Sequence, residues 1–298
     1  MESSNPPILQ SLRSGCYPAA VTPFREDGEV DQPGMARLLA WFESHGCTGV
    51  VLAGTNGEGP SLAAVEKRDL LRAMMPVRGS LDLILGVATP ALSEAIWSCK
   101  QVAKIGAAAA LVMAPSYFRE ASEDGLFGWF RALMDEAGLP ILIYNFPQRT
   151  GISLSPEMMA RLGEHERMAG AKDSSGSVEN IEGYAAALPS KALFMGNETL
   201  LPRALEAGWS GTISGAANVL PSWLSQIVSL WRADRELAET KFKLILPALE
   251  ALRKSPQPAT NKAILAKIGV LDSARVRLPL AEAPAAEQLA ELLKGLVA

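Results

Sequence analysis

The residues best suited to chemistry stand at or just beyond the ends of short apolar segments. Lys172 closes MAGAK, Tyr144 lies near the end of PILIYN, and Thr55 follows GVVLA. An ammonium in a poorly solvated place loses hydration, which favours the neutral amine, and a neutral amine can attack a carbonyl to form a Schiff base. A nearby phenol can carry protons to and from such an intermediate, and a threonine hydroxyl can pass them on. On position alone, a lysine that extends to solvent and pairs with Asp173 remains the alternative.

Two further segments have the composition of anion-binding sites. The loop GTNGEG, residues 54–59, precedes a helical pattern, so its backbone N–H groups suit a carboxylate or a phosphate. No GK[ST] follows it, so a nucleotide P-loop is not supported. Arg149 can hold a carboxylate with two parallel hydrogen bonds. Glu58 and Asp173 are an alternative carboxylate pair for Mg²⁺ or for glycoside chemistry, but no further oxygen ligands accompany them, so we expect no metal.

The composition of the 298 residues excludes several other classes of protein. The net charge is −4 and the pI is near 5.4, which argues against a nucleic-acid binder. No apolar run reaches the ~18 residues of a membrane span, and the N-terminus does not read as a signal peptide. Three cysteines without a CxxC motif argue against a disulfide framework and favour the reducing cytoplasm. Two histidines, neither in a metal-binding motif, are too few for a zinc site.

The chain must contain elements that bring these segments together. Continuous apolar runs predict buried parallel strands at 16–22, 49–53, 82–87, 109–114, 140–145, 168–172, 192–196 and 210–214. Helical patterns follow them at 33–46, 61–75, 91–106, 122–138, 155–163, 177–188, 198–208 and 221–231, most of which begin near Ser or Pro and end at or near Gly.

Eight strand–helix units predict an α/β fold, a (β/α)₈ barrel, whose chemistry lies at the C-terminal ends of the strands. A doubly wound sheet is the alternative, but the first strand leads into VTPFREDG rather than a glycine-rich phosphate turn. Further helical patterns at 235–253, 259–269 and 282–297 exceed the needs of a barrel. We therefore expect a catalytic barrel over residues 1–230 and a C-terminal helical domain over residues 231–298.

The motifs GTNGE, YNFPQRTG, KDSSG and ISGAAN occur in this order along the chain. Together they resemble the dihydrodipicolinate synthase / N-acetylneuraminate lyase family, which are Schiff-base aldolases that handle pyruvate. The resemblance covers essentially the whole chain. It implies a barrel with C-terminal helices, small-molecule substrates, no cofactor, and a homotetramer built as a dimer of dimers.

The resemblance also implies a role for individual catalytic residues. Lys172 corresponds to the lysine that forms the Schiff base, and Tyr144 to the tyrosine that transfers protons. Thr55 corresponds to the hydroxyl of the proton relay. Tyr117 matches the tyrosine that crosses a dimer interface and completes the relay of the neighbouring subunit.

The same resemblance implies a set of substrate-binding residues. The backbone N–H groups of Thr55 and Asn56 correspond to the cradle of the pyruvate carboxylate, and Arg149 to the arginine at the entrance of the site in the synthase branch. The carbonyl of Ile213 is expected to line the site, and Gly196 to leave room there.

Several of these residues also bear on which reaction of the family the protein catalyses. Retention of Thr55, Tyr117, Tyr144 and Arg149 favours condensation of pyruvate with aspartate-semialdehyde. A 4-hydroxy-2-oxoglutarate or 2-keto-3-deoxy-sugar-acid aldolase is the alternative, since Asn56 stands where the synthases usually have a second threonine. A barrel that binds a small acid without catalysis is an alternative of a different class.

Feedback inhibition by lysine is not expected for this chain. The positions that would carry the histidine, asparagine and tyrosine of the family's lysine pocket hold Ala64, Pro90 and Ser116.

Overall fold

Eight short parallel strands form the centre of the molecule, in a computed structural model that describes residues 12–283 together with 289, 293, 295 and 296. The strands are β1 (Gly15–Pro18), β2 (Gly49–Leu52), β3 (Asp82–Val87), β4 (Ala109–Met113), β5 (Ile141–Asn145), β6 (Met168–Asp173), β7 (Ala192–Met195) and β8 (Gly211–Ser214). Each strand from β2 to β7 pairs with the next along the chain, and β8 pairs with β1. The sheet nearly closes between β1 and β2, where the Ala20 N–H donates to the Val51 carbonyl at 3.0 Å. The predicted (β/α)₈ barrel is confirmed.

Helices connect the strands and extend beyond the last one. They are α1 (Gln32–Ser44), α2 (Ala64–Met74), α3 (Leu92–Ile105), α4 (Glu123–Ala137), α5 (Pro147–Thr150), α6 (Pro156–Gly163), α7 (Val178–Ala187), α8 (Leu201–Glu206), α9 (Pro221–Leu230), α10 (Arg235–Lys254) and α11 (Ala259–Lys267). The side chains of Ser122, Ser155 and Ser177 accept a backbone N–H at the start of α4, α6 and α7. Gly106 and Gly138 end α3 and α4 in the left-handed conformation, so the Ser-to-Gly pattern of the sequence has a physical basis.

Some elements differ from the predicted ones. The strand predicted over 16–22 ends at Pro18. Ala19 and Ala20 still make single backbone hydrogen bonds to β8 and β2, whereas the Val21 N–H donates to the Asn218 side chain at 2.9 Å, so the regular ladder does not continue to residue 22. The helix predicted over 198–208 starts as a 3₁₀ turn before α8. The single turn α5 was not predicted, and most of the helix predicted over 282–297 lies outside the described residues.

Apolar side chains form two groups, one on each side of the barrel wall. The larger group fills the space between the strands and the surrounding helices. The smaller group fills the barrel interior and consists of Leu12, Tyr17, Ala19, Val51, Ile84, Ala109, Leu111, Leu142, Tyr144, Phe194 and Ile213. Tyr144 closes the interior group at the C-terminal end of β5, so the space above it is the mouth of the barrel.

No helix within residues 12–283 is both long enough and apolar enough to cross a membrane.

Candidate active site

Lys172 and Tyr144 lie side by side at the mouth of the barrel. They occupy the same register of the neighbouring strands β6 and β5, so both side chains extend to the same side of the sheet. Lys172 Nζ lies 4.3 Å from the centre of the Tyr144 ring, and the Ser174 hydroxyl donates to the Tyr144 oxygen at 3.2 Å. Lys172 is only 5% exposed and Tyr144 only 4% exposed. The structure thus holds an amine and a phenol together in a poorly solvated place.

Asp173 lies on the opposite side of the barrel wall and does not pair with Lys172. Its carboxylate accepts hydrogen bonds from the Asn145 amide and the Ser175 hydroxyl, both at 2.6 Å. Burial raises the pKa of Asp173 above its usual range, although these hydrogen bonds oppose the shift. Asn145 also accepts the Leu154 N–H at 3.1 Å. This network fixes the ends of β5 and β6, and no salt bridge to Lys172 occurs among the described residues.

Gly196 provides the space that the lysine occupies. A Cβ built at this position would lie 2.8 Å from Lys172 Cε and 2.0 Å from Ser174 Oγ, so a larger residue cannot be accommodated without a shift. The Gly196 N–H donates to the Asp173 carbonyl at 2.7 Å, which holds the end of β7 close to β6.

The loop after β2 is compact and strained. Ala53 and Glu58 adopt positive φ values of 53° and 54°, which non-glycine residues rarely do and which persist only where the surroundings enforce them. A Cβ at Gly59 would lie 2.0 Å from the Ala53 carbonyl oxygen, so this close approach requires glycine. Thr55 and Asn56 stand between the strained residues and line the cavity at the barrel mouth. Within the described part of the chain, neither backbone N–H donates a hydrogen bond.

A buried ion pair anchors this loop to the C-terminal helices. Glu58 bonds to Lys262 Nζ of α11 at 2.5 Å, with no exposed surface on either side chain. The second Glu58 oxygen accepts the Arg277 N–H at 2.8 Å, and Lys262 also donates to the Arg275 carbonyl at 2.7 Å. Burial lowers the pKa of Lys262, although its partner Glu58 opposes the shift. Since Glu58 and Asp173 have separate partners, the two carboxylates do not form the pair considered from the sequence.

The cavity at the barrel mouth has a volume of about 440 Å³. Its lining residues come from four strand ends, the β2–α2 loop and the C-terminal helices. They are Thr55, Asn56, Tyr144, Phe146, Gln148, Arg149, Lys172, Ser174, Ser175, Gly196, Glu198, Gly215, Ala216, Leu249, Leu252, Arg253, Ser255, Pro256 and Gln257. Six residues expected at the site from the sequence are therefore brought together: Lys172, Tyr144, Thr55, Asn56, Arg149 and Gly196.

Two expected site residues do not line the cavity of the single chain. Tyr117 follows β4 and is 78% exposed, with its ring edge-on to the ring of Phe118 at 5.2 Å. Ile213 is buried in the interior group of the barrel.

Arg149, which does line the cavity, lies in α5, with its guanidinium 6.0 Å from the centre of the Phe146 ring.

Sequence reasoning missed two kinds of residue at this site. Glu198 is buried, lines the cavity and accepts hydrogen bonds from the Ser214 hydroxyl at 2.6 Å and the Ala216 N–H at 3.1 Å. Arg253 and Gln257 come from the end of α10 and the segment after it. These residues do not lie at strand ends, and the packing of the C-terminal helices makes them one wall of the cavity.

Comparisons with known proteins agree with this architecture. The model of the dihydrodipicolinate synthetase family matches residues 12–296. A 4-hydroxy-tetrahydrodipicolinate synthase of Archaeoglobus fulgidus is 34% identical over 286 residues, which cover 95% of this chain and 98% of that protein. The counterpart from Stenotrophomonas maltophilia strain R551-3 is also 34% identical, over 93% of this chain and 95% of its own length.

A solved structure shows the same fold at similar coverage. The dihydrodipicolinate synthase of Acinetobacter baumannii, solved in complex with pyruvate, superimposes with a TM-score of 0.89 at 30% identity, over 95% of this chain and 98% of that one. The match to the family model spans nearly the whole chain, and the barrel with its lysine-containing mouth agrees with it. The chain belongs to the dihydrodipicolinate synthetase family.

Proposed function

We propose that this protein is a class I aldolase that forms a Schiff base between Lys172 and pyruvate. The observation that carries the proposal is the nearly buried Lys172 amine, which has the Tyr144 ring beside it and no acidic partner among the described residues. Lys172 also lines the cavity, so its amine can reach a keto acid bound there, and addition of a lysine amine to a ketone is the first step of Schiff-base formation.

The reaction follows from these groups. The Lys172 amine adds to the C2 ketone of pyruvate, and loss of water gives an iminium whose nitrogen withdraws electrons. A C3 proton then becomes acidic, and its removal gives an enamine that adds through C3 to an aldehyde. Tyr144 carries the protons of these steps, and Thr55 passes them on. The free N–H groups of Thr55 and Asn56 hold the pyruvate carboxylate, and Gly196 and the Ile213 carbonyl complete its binding site.

The acceptor we favour is aspartate-semialdehyde, which would make the reaction that of a 4-hydroxy-tetrahydrodipicolinate synthase. The relatives named above support this choice, and so does Arg149 in the cavity wall, since a guanidinium suits an aldehyde that carries its own carboxylate. Asn56 in place of the usual second threonine keeps a second candidate in consideration, an aldolase acting on 4-hydroxy-2-oxoglutarate or a 2-keto-3-deoxy sugar acid.

We also propose that the active form is a homotetramer built as a dimer of dimers. Tyr117 and Phe118 support it, because two adjacent aromatic rings exposed to 78% and 70% are suited to burial against another subunit. In this arrangement Tyr117 completes the relay of the neighbouring site. A monomeric dihydrodipicolinate synthase variant has been solved, so the assembly has to be measured by sedimentation. We place the protein in the cytoplasm, consistent with its three free, buried cysteines.

We further propose that residues 1–230 carry the reaction and that residues 231–298 form a helical domain that completes the cavity wall.

Borohydride reduction in the presence of pyruvate tests the Schiff base directly. Mass spectrometry should locate the adduct on Lys172, and Lys172→Ala should form no adduct and have no turnover. Lys267→Ala, which changes an exposed lysine of α11, is the matched control and should behave like the wild type. Pyruvate binding without any adduct would instead identify a non-catalytic binding barrel. Turnover measured with pyruvate and a panel of aldehydes would identify the acceptor.

A further inference from the structure

The charged groups of the cavity are strongly unbalanced. Lys172, Arg149 and Arg253 line it, whereas Glu198 is the only acidic residue that lines it within the described part of the chain. Glu198 is buried, and its carboxylate accepts hydrogen bonds from the Ser214 hydroxyl and the Ala216 N–H. It therefore stabilises the backbone of the cavity wall and does not neutralise the arginines. Neither arginine forms an ion pair within the described ranges. The cavity therefore attracts more negative charge than one pyruvate carboxylate supplies.

Arg253 is placed there by the packing of α10. Leu249 and Leu252 in the last turns of the helix are buried, at 0% and 2% exposure, and they also line the cavity. The following residue, Arg253, is exposed and reaches the same cavity, whereas Lys254, which is also exposed, does not line it. One cation of the pair at the end of α10 thus belongs to the site, and the other does not.

The other substrate groups already have partners. If the proposed function holds, Lys172 becomes the iminium and the loop N–H groups of Thr55 and Asn56 hold the carboxylate of pyruvate. The two guanidinium groups then remain for the acceptor aldehyde. A guanidinium binds a carboxylate with two hydrogen bonds and keeps its charge at every relevant pH, which makes it a selective anion-binding group.

We propose that Arg253 is a second specificity-determining residue, which acts with Arg149 to bind the anionic part of the acceptor. The acceptor is accordingly an aldehyde with a carboxylate, and a neutral sugar aldehyde is disfavoured. This inference rests on the proposed Schiff-base function, and it assigns part of the acceptor site to the C-terminal helices rather than to the barrel.

The test compares acceptors of different charge in two matched variants. Arg253→Gln removes the charge but keeps a polar side chain, and Lys254→Gln makes the same change one residue outside the cavity. Aspartate-semialdehyde and glyoxylate are the anionic probes, and D-glyceraldehyde is the neutral probe. In Arg253→Gln we expect KM to rise at least about tenfold for an anionic acceptor, the size of a lost charged hydrogen bond, and to stay within about twofold for the neutral one. Lys254→Gln should change neither value.

Two measurements separate this proposal from the function on which it rests. The first is trapping of pyruvate on Lys172, which should proceed in Arg253→Gln as it does in the wild type. If the wild type itself forms no adduct, the Schiff-base function is rejected. Binding of succinate, an unreactive dicarboxylate, is measured by calorimetry and should weaken at least about tenfold in Arg253→Gln, independently of turnover. Equal effects on anionic and neutral acceptors, or unchanged succinate affinity, would overturn the role of Arg253.

Discussion

The buried pair of Glu58 and Lys262 makes a quantitative prediction about how the C-terminal helices support the site. Lys262→Met keeps the length and volume of the side chain but leaves the Glu58 carboxylate buried without its cation. Among the described residues, the Arg277 N–H at 2.8 Å is then its one remaining hydrogen-bond partner. Removal of one partner of a fully buried ion pair costs about 3–5 kcal/mol. For a chain of 298 residues this corresponds to a fall in melting temperature of about 5–8 °C.

Three variants identify the cause of the loss. Chemical denaturation at pH 7 gives the free energy of unfolding of Lys262→Met. Lys267→Met removes an exposed lysine from the same helix and is the control, and its free energy of unfolding should change by less than about 0.5 kcal/mol. The double variant Glu58→Gln with Lys262→Met removes both charges and should recover most of the lost stability. Because Glu58 lies two residues after Asn56, the single variant should also raise the KM for pyruvate.

The pH dependence has a definite sign. Burial lowers the pKa of Lys262 from 10.5 to about 8 in the folded protein. Between these two values the unfolded chain binds the proton and the folded chain does not, so the contribution of Lys262 to stability rises with pH across this window. Lys262→Met should abolish this rise, which is measured as the difference in unfolding free energy between wild type and variant from pH 7.5 to 10.5.

Either of two results would refute this reasoning. A Lys262→Met protein within about 1 kcal/mol of the wild type would mean that Glu58 is not an uncompensated buried charge. A double variant as unstable as the single one would mean that the loss comes from packing or from the Arg275 carbonyl, which Lys262 also binds at 2.7 Å.

Other predictions concern the mouth of the barrel and the core. Gly196→Ala places a Cβ 2.8 Å from Lys172 Cε, so the rate of pyruvate trapping should fall at least about tenfold in a folded protein; an unchanged rate would contradict the assigned close contact. Tyr144→Phe keeps the ring but removes the proton carrier, so kcat should fall about 10²- to 10⁴-fold with a stability change near 1 kcal/mol, as turnover and thermal unfolding assays will show. Burial raises the pKa of Cys99 from 9.0 to about 12, so its thiol should resist alkylation at pH 8 in the native state and react once unfolded. Above pH 9 the unfolded thiol loses its proton first, so this cysteine should make stability fall as pH rises, whereas rapid native alkylation would contradict its burial.

The sequence alone was sufficient for the parts of this protein that depend on local patterns. Continuous apolar runs predicted the eight buried parallel strands, and Ser and Gly at the helix ends predicted most helix boundaries to within a few residues. Since chemistry in a barrel lies at the strand ends, position along the chain was enough to nominate Lys172 and Tyr144, which the register of β5 and β6 places side by side.

Only the tertiary structure decided the contacts that join distant segments. No local pattern assigns Lys262 to Glu58, because 204 residues separate them and the pairing depends on how α11 packs over the barrel mouth. The same holds for Arg253, whose place in the cavity follows from the burial of its neighbours in α10. Strand ends are local features that a sequence displays directly, whereas the wall formed by the C-terminal helices exists only after long-range packing.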